Sequence, residues 1–214
     1  DHRVLAAHVV RRHREPRLVL RAPHDVEVRQ RGLDHDDVGA LLADYDPESP
    51  GLDLLCSGTL IAPNVVLTAQ HCVAETSGGG SVQCGLTQFY PAEAPGQLYI
   101  TTNTFFTMSP SDYRSVREVH IPNGPQFCGN DQAILILTDP VPPEVATPAT
   151  PRVDEPMTPG EEYYAVGYGQ LDDSDNAPSG TRYRRDALHA ECIGAACGYS
   201  QITDTEWLGE TGVC

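Results

Sequence analysis

From Val38 onward the chain runs as short apolar stretches closed by turn residues, the pattern of an all-β protein. Six strands are expected before residue 140: Val38 to Leu42, Leu54 to Ile61, Val65 to Thr68, Leu98 to Thr101, Val116 to Ile121 and Ala133 to Leu137. Asp139 to Pro159 then holds Pro140 and six further prolines, too many for a sheet interior or a helix, so it reads as a connection between two units. Strands resume at Tyr163 to Tyr168 and around Tyr183 to Ala190, on either side of an acidic Gly/Ser/Pro loop from Gln170 to Gly180. Residues 1–37 show short apolar stretches among Arg and His with no stable period. The expected organisation is residues 1–35 as a leader, pro-segment or linker, 36–140 as a first β unit and 141–214 as a second. The second has about 70 residues, fewer than a closed six-stranded barrel needs at usual strand and loop lengths.

Charge narrows the choice of partner. Residues 1–31 carry eight Arg against four acids, whereas 32–214 carry six Arg against 26, which leaves a net charge of −16. An acidic body of this kind argues against nucleic acid as partner. No apolar run approaches the roughly 18 residues of a membrane span, so no membrane is expected either. Seven cysteines without CxxC pairs or histidines at zinc-finger spacing indicate disulfides and no metal site. They place the chain in an oxidising compartment, extracellular or periplasmic. The odd count leaves one thiol whose partner is expected outside this sequence. No cofactor is expected.

Two segments carry candidate chemistry. In CSGTLIAPNVVLTAQHC, Cys56 to Cys72, two β runs turn at Pro63 and Asn64 and lead into Thr68, Ala69, Gln70, His71 and Cys72. A disulfide between Cys56 and Cys72 would tie the ends of the hairpin and hold His71 rigidly beside it, as a general base requires. In NDQAILIL, Asn130 to Leu137, an aspartate opens a strongly apolar run, which draws its carboxylate toward low dielectric where it needs partners. Read alone, Asp131 is a turn residue at a strand edge. It stands 60 residues after His71.

The first segment resembles the TAAHC histidine motif of chymotrypsin-like serine proteases, with Gln70 in place of the second Ala, and the second resembles that family's DIALL segment. AVGYGQ, Ala165 to Gln170, is similar to a second-barrel strand of the family, and SGTRYRR, Ser179 to Arg185, to segments of bacterial members. The resemblance covers about residues 36 to 214. It implies a double β-barrel whose second barrel is incomplete in this chain, and it implies a serine endopeptidase acting on a protein or peptide substrate. His71 would be the general base and Asp131 the carboxylate that orients it. GETGVC, Gly209 to Cys214, matches the approach to CxGDSGGP, so the nucleophilic serine is expected just downstream of Cys214, on a C-terminal segment or a second chain. The resemblance also implies bridges Cys84–Cys128 and Cys192–Cys197.

Departures from the family qualify this expectation. No IVGG-like segment lies between residues 20 and 38, which sets ordinary zymogen activation in doubt. Gly212 stands where trypsin-type members place the aspartate that selects basic side chains, although Glu210 is close. Ser57, Ser81 and Ser200 lack the family's glycine setting, and GxSxG is absent. The alternative is a catalytically inactive homologue acting as a binding or regulatory module. A disulfide-rich adhesion or inhibitor module is a third class.

Overall fold

Alternation of apolar and half-exposed positions builds the first unit. The computed structural model describes residues 35–44, 52–77, 82–105, 110–169, 180–198 and 206–209. Strands β1 (Val38–Ala43), β2 (Asp53–Ala62), β3 (Val65–Thr68), β4 (Leu98–Thr101), β5 (Arg114–His120) and β6 (Ala133–Leu137) close into a barrel in the order β1-β2-β3-β6-β5-β4. Every pairing is antiparallel. In β6, Ala133, Leu135 and Leu137 are buried while Ile134 and Ile136 are half-buried, the period of two that points one face into a barrel. Leu41, Leu60, Val66, Leu98, Ile100, Leu135 and Leu137 fill the interior, each burial of such a side chain contributing about 1.5–3 kcal/mol. Gly58 is required for the close approach of β2 to β3, since a Cβ there would lie 2.8 Å from Val66 Cγ1.

The expected strands are all present, β3, β4 and β6 at their expected limits and the others with shifted ends. β5 stops at His120 rather than Ile121 because His120 makes the last pairing, with Ile134, and Pro122 follows without an N–H to continue the ladder. The proline-rich stretch 139–159 contains no strand or helix. It does not stand clear of the barrel, however: Val141 and Ala146 join the barrel core, and Ala149 donates its N–H to Leu60 O at 2.8 Å. Its far end is closed by a guanidinium–carboxylate pair between Arg152 and Glu161, with Arg152 Nη2 also donating to Pro156 O at 2.8 Å.

Strands β7 (Glu162–Gly167), β8 (Tyr183–Ile193) and β9 (Trp207–Gly209) form an antiparallel three-stranded sheet. β9 was not expected, and it extends β8 past Ala190 by pairing Cys192 with Leu208 and Ile193 with Trp207. The sheet docks on the outer face of β1. Val38, Ala40 and Leu42, which point away from the barrel interior, are covered by Tyr168 and Val166, so β1 is buried on both faces. Tyr168 N donates to Ser57 Oγ at 2.9 Å, and a Cβ on Gly167 would come within 3.0 Å of the same oxygen. Arg182, 3% exposed, sends Nη1 to Val38 O at 2.9 Å and Thr102 O at 2.8 Å. The expectations placed on residues 1–34, on the loop 170–179, on Ser81 and Ser200, and on 210–214 lie outside the described residues.

Candidate active site

His71 follows β3 by three residues and Asp131 precedes β6 by two, and the β3/β6 register pairs Thr68 with Ala133. Antiparallel pairing therefore delivers both residues to the same end of the barrel. Gln70–Cys72 forms one 3₁₀ turn, entered from extended Ala69 and closed by Val73 N donating to Gln70 O at 3.0 Å. That turn lifts His71 out of the wall, and its side chain is 46% exposed. The Cys56–Cys72 bridge, with Cα atoms 5.9 Å apart, fastens the turn to β2.

Asp131 holds His71 twice. Oδ1 accepts the His71 backbone N–H at 2.8 Å and Oδ2 lies 2.8 Å from Nδ1. The Asp131 side chain is 2% exposed, so these contacts answer the need for partners that burial of a carboxylate creates. An ionised carboxylate only accepts, so Nδ1 carries the proton and Nε2 of the neutral ring is left as an acceptor. A ring fixed in this tautomer can take a proton at Nε2 while the carboxylate stabilises the resulting imidazolium.

A model of the trypsin family matches residues 47–205, most of the chain. The chain belongs to the trypsin family. It is thus a trypsin-like serine protease in the general sense of that family, with its all-β fold, closed six-stranded barrel and disulfides. No curated protein matches it. The bridges expected from the family resemblance, Cys84–Cys128 and Cys192–Cys197, are both present. Cys56, His71 and Cys72 are the one group of three potential metal ligands among the described residues. Both sulfurs are consumed in a disulfide, so neither is available as a thiolate donor. No helix among the described residues is long and apolar enough to cross a membrane.

Three features of this trypsin-family site were not anticipated. Gln70, noted only as a departure from the family motif, is 1% exposed, and its Oε1 has no hydrogen-bond partner among the described residues. Phe127 stacks on His71, with ring centroids 6.3 Å apart and planes at 15°, and stacks again on Phe89 at 4.9 Å. Ser57, at the start of the histidine segment, uses its hydroxyl to accept from Tyr168 and its carbonyl to accept from Thr68 Oγ1 at 3.0 Å. It is a structural tie between the two units.

Proposed function

We propose that this chain carries the general base and its orienting carboxylate of a serine endopeptidase. His71 takes the proton of the attacking serine at Nε2. Asp131 fixes the tautomer and stabilises the imidazolium. The serine is the one that the family pattern puts four residues after Cys214, and none of the serines in residues 1–214 is the nucleophile. The observation that carries the reading is the double hold of one buried carboxylate on the backbone and ring of His71. The same reading divides the enzyme near residue 140 and places it outside the cytoplasm, extracellular or periplasmic, in keeping with three disulfides.

The test uses the complete gene product and a mixed peptide library. His71→Ala is expected to abolish cleavage, and Asp131→Asn to lower kcat by on the order of 10⁴-fold, because an amide supports the wrong tautomer. The 214-residue chain by itself is expected to resist labelling by a fluorophosphonate. Cleavage that survives His71→Ala, or labelling of the isolated chain, would refute the assignment.

A further inference from the structure

Two separate routes connect His71 to Asp131. One is the barrel wall, through the β3/β6 register described above. The other leaves the barrel. After Cys72 and Val73 the chain runs outward, and Thr76 bridges to Phe89 while Ser77 N donates to Gln88 O at 2.9 Å and Tyr90 N to Glu75 O at 2.9 Å. The returning strand then joins the segment that precedes Asp131. Gln88 bridges to Gln126, Phe89 N donates to Pro125 O at 2.7 Å, and Phe127 N donates to Thr87 O at 3.2 Å. From Phe127 the chain reaches Asp131 through a tight turn in which Asn130 N donates to Phe127 O at 3.1 Å and Asn130 Nδ2 to Gln126 O at 3.0 Å. This side ribbon has its own small core of Ala74, Phe89 and Phe127, packed with Val82 and Cys128 and separate from the barrel core. The Cys84–Cys128 bridge staples its outgoing loop to a residue three before Asp131.

We propose that this ribbon is a second clamp on the His71–Asp131 pair, and that Phe127, seated by the Cys84–Cys128 bridge, is a positioning residue for the His71 ring. The physical reason is geometric. The barrel route fixes two backbones, but it leaves the half-exposed imidazole free to turn about its side-chain torsions. Asp131 holds one edge of the ring, and an offset aromatic face resists its swing in the other direction. With Phe127 wedged between Phe89 and His71, the ring stays in the plane in which Nδ1 meets Oδ2. Opening the disulfide frees the wedge without touching the barrel. Removing this one bridge would therefore loosen the pair while the Cys56–Cys72 bridge and the barrel stay in place.

The consequence for turnover rests on reading His71 as the base, so the decisive measurement does not use turnover. Proton NMR of this chain follows the His71 Nδ1–H, with backbone amide exchange of Leu41 and Leu135 as the barrel control. In Phe127→Leu and in the double variant Cys84→Ser, Cys128→Ser, the Nδ1–H is expected to exchange at least tenfold faster while the barrel amides keep their parental protection. Unchanged Nδ1–H exchange in the double variant overturns the proposal. So does a parallel loss of barrel protection in that variant, which would make the ribbon a part of barrel stability. In the complete enzyme the double variant is expected to lose about tenfold in kcat with KM little changed. An enzyme without hydrolytic activity would fail the endopeptidase reading and leave the imidazole result standing.

Discussion

Replacing Arg182 by Met should partly detach the second unit from the barrel. Nη1 has two hydrogens, and the short contacts to Thr102 O at 2.8 Å and Val38 O at 2.9 Å take them, leaving the 3.3 Å contact to Tyr168 Oη as a weaker, shared one. Methionine fills much of the same length with apolar atoms but donates nothing. Two charge-assisted bonds to buried carbonyls are worth about 1.5–3 kcal/mol each. Recovery of the cation's desolvation offsets part of this, so a net loss of about 3 kcal/mol is expected. With a urea m-value of about 2 kcal/mol/M, the unfolding midpoint falls by about 1.5 M. A second readout isolates the site, because Arg182 lowers the Tyr168 pKa against the larger effect of burial. Arg182→Met should therefore push the phenol's alkaline titration above its value of about 12, as followed by phenolate absorbance. A midpoint within about 0.25 M of the parent, equivalent to about 0.5 kcal/mol, would refute the claim that this guanidinium joins the units.

The same tyrosine predicts an alkaline limb of stability. Burial raises the Tyr168 pKa from 10.0 to about 12, so the unfolded chain loses its proton first; stability is full below pH 10 and declines by about 3 kcal/mol as pH rises toward 12, and Tyr168→Phe removes this slope in pH-dependent urea melts. Glu161 predicts an acid limb. Its carboxyl is held below the ordinary value of 4.5, first by the hydrogen bond from Arg152, so its contribution is complete above that value and is lost as pH falls through the depressed one; Glu161→Gln should flatten the acid end of the same melts. Gln70→Met keeps the shape of a buried side chain and deletes its unpartnered oxygen, so stability should be unchanged or rise by about 1 kcal/mol, and a loss of 2 kcal/mol or more in thermal unfolding would show that Gln70 has a partner.

Much of the fold was legible in the sequence because the barrel strands are short, alternate cleanly and end at strong breakers. β3, β4 and β6 fall at their expected limits: β3 between Asn64 and a 3₁₀ turn, β6 between a buried aspartate and Asp139–Pro140. Three residues are too few to show a period, which is why β9 at Trp207–Gly209 went unseen. Arg182 stood among Thr, Tyr and two further arginines and gave no sign of burial. The carbonyls that hold it come from Val38 and Thr102, 144 and 80 residues away along the chain.

The candidate site divides along the same line. Its backbone placement follows from the β3/β6 register, which alternation does not specify; in the sequence, His71 and Asp131 were joined by the family resemblance of their two segments. Side-chain orientation has a different origin. On the clamp proposed above it depends on Asp131 and also on the ribbon of residues 74–77, 82–90 and 125–130, whose contacts of sheet type among the described residues are isolated bridges and which carries no alternation to read. Phe89 and Phe127 lie outside the expected strands, in stretches rich in Gly, Pro and Gln. The two stretches pair with each other and are stapled at Cys84 and Cys128, and Phe127 stacks on His71. The backbone positions of His71 and Asp131 are thus set by strand register, whereas the proposed hold on the His71 ring involves contacts between segments more than 30 residues apart, as between Phe89 and Phe127.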